Sequence, residues 1–265
     1  MAAFETYRES FHCARMERDE DGILLLTFHD DKETWSWSRQ AAEELGRLFD
    51  AIATDDENKF VIMTGTGEFF LKHDLSKFAN DPESIKGHTP VTADLGMRRQ
   101  IANVMRELEI RVPMIAAVNG PVQIHAEIPL MCDIVIAADT AYFADEAHVI
   151  HGGVPGDGAH VFWPAVLGLN RARYLLWMNQ RIDAEEALRL GLVGEVLPAD
   201  QLLDRAYAIA RRFFPVPELT RRYTRELMIR TLKRSMLDEL TVSLALTQLS
   251  AIGRVIDDEG HAYYR

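Results

Sequence analysis

The sequence predicts an α/β protein with one core and a helical C-terminal extension. In its first half, short apolar runs bounded by turn residues alternate with helical patterns, whereas the second half is helical in pattern almost throughout. No Gly/Ser-rich linker separates the two halves. We therefore expect a strand-and-helix core at residues 1–200 and a helical extension at residues 201–265.

The first half begins with a hairpin and a capped helix. Residues 11–18 and 23–28 are strand-like, and the acidic turn at residues 19–22 favours an antiparallel hairpin between them. Ser38 is a suitable N-cap for a helix that continues to about Thr54. The other predicted strands are short and mostly apolar: residues 60–64, 114–118, 134–138 and 195–197.

Helices account for most of the rest. A polar loop at residues 79–92 leads into a helix near residues 95–109, and a short apolar helix is expected before the strand at 134–138. After the loop region around residue 150, the predicted helices are 157–167, 170–178, 184–190, 199–213, 217–230 and about 235–257.

Composition excludes several classes of protein. The chain has 265 residues, of which 48% are hydrophobic, so it can form a sizeable core. It has 29 basic and 41 acidic residues and a net charge of −12, with no marked run of Lys or Arg. Nucleic acid and anionic membranes are therefore not expected as partners.

The cysteines and the N-terminus indicate a reducing compartment. Cys13 and Cys132 lie far apart in apolar surroundings and form neither a disulfide framework nor a CxxC metal site. The N-terminal segment has no apolar stretch of the signal-peptide type, and no window is long enough to span a bilayer. We expect a soluble, cytoplasmic protein.

Candidate site residues are concentrated between Met114 and His160. Four of the nine histidines fall in this stretch, at the breaks between an apolar strand, a short helix and a second strand. The candidates are His125, Glu127, His148, His151, Asp157 and His160. Loops at strand ends present polar groups to pockets, and these residue types indicate acid–base chemistry rather than redox chemistry.

Several motifs in order resemble the crotonase (enoyl-CoA hydratase/isomerase) superfamily over about residues 22–200. They are TGTGEFFLKHDL from residue 64, IAAVNGPV from 115, EIPLMCDIVIAAD from 127, VPGDG from 154 and DAEEALRLGLVGEVL from 183. The resemblance implies a spiral of ββα units, assembly as a trimer or a dimer of trimers, and a C-terminal extension that serves trimerisation and pocket closure.

Three departures from the usual pattern of that superfamily affect its thioester-binding groups. A Gly-Gly-Gly tract that supplies one oxyanion-hole amide is replaced by residues 122–126, VQIHA, and the loop is one residue shorter. The Ala-Gly-Ala that supplies the second amide is replaced by residues 71–73, LKH. The second hydratase glutamate is replaced by His148.

The same departures resemble the 6-oxocamphor hydrolase type of β-diketone hydrolase. That branch has a similar NGPV-x-x-H-x-EIP loop containing the equivalent of His125, a His at the position of His148, and a VPGDGAH turn containing Asp157. It also has a tryptophan at the position of Trp37. One glutamate of its last long helix is absent here, since it aligns with Thr247 or the adjacent Gln248.

The residue types suggest how such a reaction would proceed. His148 is expected to activate water, because neutral imidazole has a reference pKa near ~6.5, and Asp157 is expected to be its carboxylate partner. His125 would donate to a substrate oxygen, a contact worth on the order of 2.7–4 kcal/mol in the transition state. Trp37 would donate its indole N–H to the other carbonyl, and Glu127 would act either as an acid or by orienting another group of the site. No cofactor or metal is required, because the diketone itself delocalises the departing carbanion.

Less specific interpretations exist for each residue. His148 and His125 could be ordinary loop histidines, and His151 and His160 are more simply solvated or hydrogen-bonded. Asp157 could cap the following helix, and both roles are compatible. Trp37 could be a core or rim aromatic.

Three functions therefore remain open. The favoured one is retro-Claisen hydrolysis of a compact, hydrophobic β-diketone, cyclic or bicyclic, to a keto acid. The second is an enoyl-CoA hydratase or isomerase acting on a thioester, which would use Glu127. The third is a metal-binding module with His125, Glu127, His148 and His151 as ligands. The expected pocket neighbours are apolar: Phe69, Phe70, Leu71, Ile124, Phe143 and Val149.

Overall fold

The structure is a computed structural model that describes residues 4–74, 89–252, 254–256 and 262–264. Its strands are β1 (Ala14–Arg18), β2 (Ile23–Phe28), β3 (Phe60–Gly65), β4 (Met114–Val118), β5 (Ile134–Ala138), β6 (Tyr142–Phe143), β7 (Ile182–Asp183), β8 (Glu195–Leu197), β9 (Arg254–Ile256) and β10 (Ala262–Tyr264). Its helices are α1 (Phe4–Tyr7), α2 (Arg39–Ala53), α3 (Pro90–Glu107), α4 (Glu127–Leu130), α5 (Ala159–Leu167), α6 (Leu169–Met178), α7 (Ala184–Leu190), α8 (Leu202–Arg212) and α9 (Glu218–Ala251). Short 3₁₀ turns lie at Val149–His151 and Ala199–Gln201.

The main sheet has the strand order β1-β2-β3-β4-β5-β8. The β1–β2 pair is antiparallel, as the acidic turn predicts, and the other pairs in this sheet are parallel. Two small antiparallel pairs, β6 with β7 and β9 with β10, lie outside it. Parallel strands align their carboxyl ends, so the loops after β3, β4 and β5 meet at one side of the molecule.

Both faces of the sheet are covered. Along β2, Leu24 and Leu26 belong to a large core cluster that includes side chains of α2. Their neighbours Ile23 and Leu25 belong to a second cluster that includes side chains of α8. This alternation follows from the two-residue period of a strand. Because α8 covers one face of the sheet, the extension at residues 201–265 begins with a helix that packs on the core; the division into domains stays a prediction.

Most sequence-predicted elements are present, with shifted ends. Ser38 caps α2 by accepting a hydrogen bond from the Ala41 N–H. The helix expected from residue 95 already begins at Pro90, because Thr89 and Thr92 form a reciprocal cap and proline is favoured at the first helical position. Of the predicted loop at 79–92, residues 79–88 lie outside the described residues.

The two helices predicted at 217–230 and 235–257 are a single helix, α9, of 34 residues. The predicted break near residue 232 was wrong because the intervening TLKR contains neither glycine nor proline, and charged residues do not end a helix. α9 packs against α3 and α5. Within the described ranges, none of the helices combines the length and the apolarity that crossing a membrane would require.

The loop after β4 is tied to the loop after β3. Asn119 accepts a hydrogen bond from Gly65 N–H through Oδ1 and donates to Gly67 O through Nδ2. A Cβ at Gly120 would lie 1.9 Å from Glu68 O, so only glycine fits there. Val122 forms β-bridges with Leu71 and Phe143. These contacts fix the backbone that leads into His125.

Candidate active site

His148 lies between two buried carboxylates. Its Nδ1 is 2.6 Å from Asp145 Oδ1, and its Nε2 is 3.3 Å from Asp157 Oδ2. Both aspartates are buried, at 7% exposure each. The ring is therefore held from both sides, and a carboxylate at each nitrogen stabilises the imidazolium form.

Asp157 is positioned by the long helix α9. Ser243 Oγ donates to Gly156 O at 2.6 Å, and Thr247 Oγ1 donates to Val154 O at 3.1 Å. These two bonds attach the VPGDG turn to α9. Thr247, one of the two positions (with Gln248) at which the sequence analysis expects the missing glutamate, thus has a structural contact here. Asp157 Oδ1 lies 3.5 Å from the Ala159 N–H, so its capping contact with α5 is weak.

His125 faces the same carboxylate from the other side. Its Nδ1 is 2.8 Å from Glu127 Oε1 and 3.5 Å from Asp157 Oδ2. His125 has a φ of 50°, a left-handed conformation that is uncommon for residues other than glycine and costs on the order of 1–3 kcal/mol. Such strain at a buried polar group is typical of functional sites.

Trp37 forms a wall of the site. Its ring packs on the His125 ring with centroids 4.0 Å apart, and its other side contacts Trp35 at 6.1 Å. Trp37 is 6% exposed. It is therefore part of the core as well as of the site, and its predicted role as an indole donor stays a prediction.

Electrostatics favour charged forms at the two histidines. Burial alone would lower the pKa of His148, but Asp157 and Asp145 outweigh it and raise that pKa well above its usual value. Burial also opposes the charged form of His125, whereas Glu127 and Asp157 raise its pKa. For Asp157, the two imidazolium groups overcome burial and lower the pKa. Burial raises the pKa of Glu127 against the attraction of His125.

The structure brings together five of the predicted residues: Trp37, His125, Glu127, His148 and Asp157. Two other candidates lie outside this group. His151 packs its ring against His73, at 5.7 Å between centroids, and His160 Nδ1 lies 3.1 Å from Pro155 O. Of the predicted apolar pocket neighbours, Phe70, Leu71, Ile124 and Phe143 are buried members of the core cluster, to which Trp37 also belongs.

Sequence reasoning missed Asp145, which has the shortest contact to His148. The two residues are three positions apart in the loop that follows β6. That spacing was a usable signal, because a carboxylate close in sequence to a loop histidine can reach its ring. Nothing in the residue pattern, however, separates Asp145 from the adjacent Glu146.

Gln123 is a second missed residue. Its Oε1 accepts a hydrogen bond from the His73 N–H at 2.8 Å, while its Nε2 donates to Tyr142 Oη at 2.9 Å and to Glu146 Oε2 at 3.1 Å. The acceptor and the donor end of the amide are thus both engaged. His73 itself stays neutral, since burial and the neighbouring His151 lower its pKa to about 4. The backbone N–H of His73 is therefore already hydrogen-bonded within the protein.

His125, Glu127 and Asp157 also form a possible metal-ligand group. Their ligand atoms lie within 4.8 Å of one another, and one imidazole with two carboxylates suits several divalent ions. His148 and His151, which the sequence analysis added to such a set, are outside the group that the described residues form. An ion would have to displace the proton that joins His125 to its carboxylates.

Comparison with known proteins gives the family. The model of the enoyl-CoA hydratase/isomerase family matches residues 18–251. The chain belongs to this family. The predicted resemblance to the crotonase superfamily and the predicted α/β fold are therefore confirmed, and the protein is a crotonase-superfamily enzyme.

The similar proteins within this family are named for different activities. The structure of a β-diketone hydrolase from the cyanobacterium Anabaena sp. PCC 7120, bound to (S)-3-oxocyclohexyl acetic acid, has a TM-score of 0.85 and 33% identity. That match covers 92% of this chain and 96% of the other. A short-chain-enoyl-CoA hydratase of Clostridium acetobutylicum is 32% identical over 73% of this chain and 72% of its own. A probable enoyl-CoA hydratase of Mycobacterium tuberculosis is 30% identical over 82% of this chain and 78% of its own.

Proposed function

We propose that this enzyme is a cofactor-independent hydrolase that cleaves a C–C bond of a β-diketone, giving a keto acid. The observation that carries the proposal is the arrangement of two imidazoles around Asp157, with His148 Nε2 at 3.3 Å and His125 Nδ1 at 3.5 Å from the same carboxylate oxygen. One imidazole can remove a proton from water while the other donates to the substrate, as the reaction requires.

His148 acts as the base in its neutral form. With Nδ1–H donated to Asp145 at 2.6 Å, the lone pair of Nε2 is directed away from Asp145 toward Asp157. Asp145 thus fixes the tautomer and stabilises the imidazolium that forms, while Asp157 holds the attacking water beside Nε2. The water oxygen bonds to a carbonyl carbon of the diketone as His148 takes the water proton.

His125 stabilises the leaving group. The bond from the attacked carbon to the carbon between the two carbonyls breaks, and its electron pair moves into the second carbonyl as an enolate. Glu127 holds His125 through Nδ1, which leaves Nε2 for the enolate oxygen, and Trp37 closes the site beside that ring. A proton then adds to the enolate carbon, and the acyl fragment leaves as a carboxylic acid.

Two further observations support this proposal over thioester chemistry. The similar Anabaena protein is a β-diketone hydrolase, and its structure contains a bound keto acid. In addition, Gln123 takes up the His73 N–H, the amide that corresponds to one thioester oxyanion donor in the family pattern. The relatives named as enoyl-CoA hydratases make hydration of a thioester the competing hypothesis.

The test offers the purified protein a bicyclic 1,3-diketone and, separately, crotonyl-CoA, each with and without a chelator. We expect keto acid from the diketone at the same rate in both conditions, and no loss of the crotonyl double bond. Turnover of the thioester alone would contradict the proposal. Loss of diketone cleavage on chelation would favour a metal at His125, Glu127 and Asp157.

We also propose that the enzyme assembles as a homotrimer or a dimer of trimers. Apolar side chains on α6 and α9 support this, since Trp177 is 71% and Met228 is 76% exposed in the single chain. Exposed apolar patches of this kind are typical of interfaces. Light scattering coupled to size-exclusion chromatography measures the mass, and a monomer at micromolar concentration would contradict this expectation.

A further inference from the structure

Glu107 is a buried acid that the proposed reaction does not yet use. It is the last residue of α3 and is 1% exposed. Within the described part of the chain, its Oε1 is buried without a hydrogen-bond partner. An ionised carboxylate in such a position is costly, so the neutral acid is favoured, and its O–H needs an acceptor.

A small cavity lies next to Glu107 and reaches the candidate site. Its lining includes Gln100, Asn103 and Glu107 from α3, together with Trp37, His125 and Glu127 from the candidate site. The space measures about 10 Å³ for the centre of a water molecule, which is room for about one water. With polar groups from both α3 and the candidate site, a single water can join the carboxyl of Glu107 to that of Glu127.

Arg225 does not require Glu107 as its counterion. Its Nη1 donates to Asp133 Oδ2 at 2.8 Å and its Nε donates to Ile110 O at 2.7 Å. Arg225 Nη2 donates to the backbone oxygen of Glu107 at 3.5 Å, not to its carboxyl group. Burial and the nearby Glu127 raise the pKa of Glu107, and Arg225 opposes this only in part. These contacts leave Glu107 free to stay protonated.

We propose that Glu107 is a neutral carboxylic acid that is hydrogen-bonded through one water to Glu127 and supplies protons to the His125–Glu127 pair. As His125 gives a proton to the enolate, the His125–Glu127 pair regains one from Glu107, which passes to the water and from the water to Glu127. The neutral acid of Glu107 is restored by the proton that His148 took from the attacking water, which returns through Asp157 to the His125–Glu127 pair and from there through the bridging water. The delivery of protons to the His125–Glu127 pair rests on the proposed function. The protonation state of Glu107 and its water link to Glu127 do not.

Infrared difference spectroscopy on the full-length protein tests the state of Glu107. We expect a carbonyl band of a protonated carboxylic acid that shifts in D₂O, disappears in Glu107→Gln and remains in Glu109→Gln. Glu109 is the matched control, because it is two residues away but partly exposed and paired with Lys233 at 2.7 Å. The same band should shift in Glu127→Gln, because the bridging water then loses an anionic acceptor. If Glu107→Gln does not fold, Glu107→Leu serves for the first comparison.

A band that survives the loss of Glu107 overturns the protonation claim, and a band unmoved in Glu127→Gln overturns the water link. For the delivery step, Glu107→Gln should lower kcat for the diketone about 10-fold, less than the ~10²–10⁴-fold of a direct proton donor, with KM nearly unchanged. An unchanged kcat in Glu107→Gln would overturn the delivery of protons by Glu107. If the unaltered enzyme does not turn over the diketone, both the proposed function and proton delivery by Glu107 are refuted. The infrared result still decides whether Glu107 is protonated and linked to Glu127 by a water.

Discussion

His148 Nε2 and Asp157 Oδ2 lie 3.3 Å apart, and the same oxygen lies 3.5 Å from His125 Nδ1. One carboxylate thus links the imidazole proposed to take a proton from water with the imidazole proposed to act on the enolate. A proton gained on one side can be returned on the other without leaving the site. This is why the proposed reaction needs no external acid.

The base assignment predicts the effect of removing one ring. His148→Ala should abolish diketone hydrolysis, because no other imidazole of the described residues faces both Asp145 and Asp157, while the circular dichroism spectrum and melting temperature stay close to those of the parent. Product formation by chromatography is the measurement. His12→Ala is the control, since that ring is 75% exposed and contacts Glu44 instead. A His148→Ala enzyme with a near-normal rate would remove the base assignment.

A second prediction concerns pH. Asp157 and Asp145 outweigh burial and raise the pKa of His148, so the fraction of neutral base increases only as pH rises above the usual value of ~6.5. kcat/KM should therefore be low in acid and rise with pH through that raised pKa. Asp145→Asn removes one of the two carboxylates that stabilise the imidazolium, so the acid limb of the profile should move to lower pH.

Measuring kcat/KM from pH 5 to 10 tests this directional shift. Asp204→Asn on α8 is a matched control, because it removes an exposed carboxylate far along the chain from His148. A profile that falls as pH rises would mean that the imidazolium is the active form and that His148 acts as an acid. A limb that stays in place in Asp145→Asn would show that Asp145 does not act on this ring.

The sequence predicts the scaffold better than the site, for physical reasons. The strands at 114–118 and 134–138 and the helix after Ser38 are encoded by local periodicity and capping. The three-residue spacing of Asp145 and His148 does not separate Asp145 from Glu146, and Gln123 and Glu107 carry no local signal. Their roles depend on which loops meet at the ends of parallel strands, a tertiary relationship. The resemblance to known motifs pointed to His125, His148 and Asp157 because those positions recur in order, whereas the residues that hold them do not belong to the motifs.

Gln123 offers a stability prediction. Gln123→Leu removes the acceptor of the His73 N–H, whose hydrogen bond is 2.8 Å long, and a buried donor left unpaired costs about 1–3 kcal/mol. Urea denaturation should show a lower free energy of unfolding by that amount. Gln201→Leu, at an exposed position of the 3₁₀ turn Ala199–Gln201, is the control and should change the free energy little. Equal values for the two variants would mean that the His73 amide finds another acceptor.

Gly156 tests whether α9 positions Asp157. A Cβ at Gly156 would lie 2.2 Å from Thr247 Oγ1 and 2.3 Å from Ser243 O, so Gly156→Ala must push the turn away from α9. Overpacking of this kind typically costs about 1–3 kcal/mol. The turn also holds Asp157, so Gly156→Ala should displace this carboxylate. Diketone activity should therefore fall even at a temperature where the variant is fully folded. Gly96→Ala is the matched control, since among the described residues its Cβ would meet only Gln248 Nε2, at 3.8 Å, within a helix that alanine favours. Equal activity in Gly156→Ala and the parent would show that Asp157 keeps its place without the contact to α9.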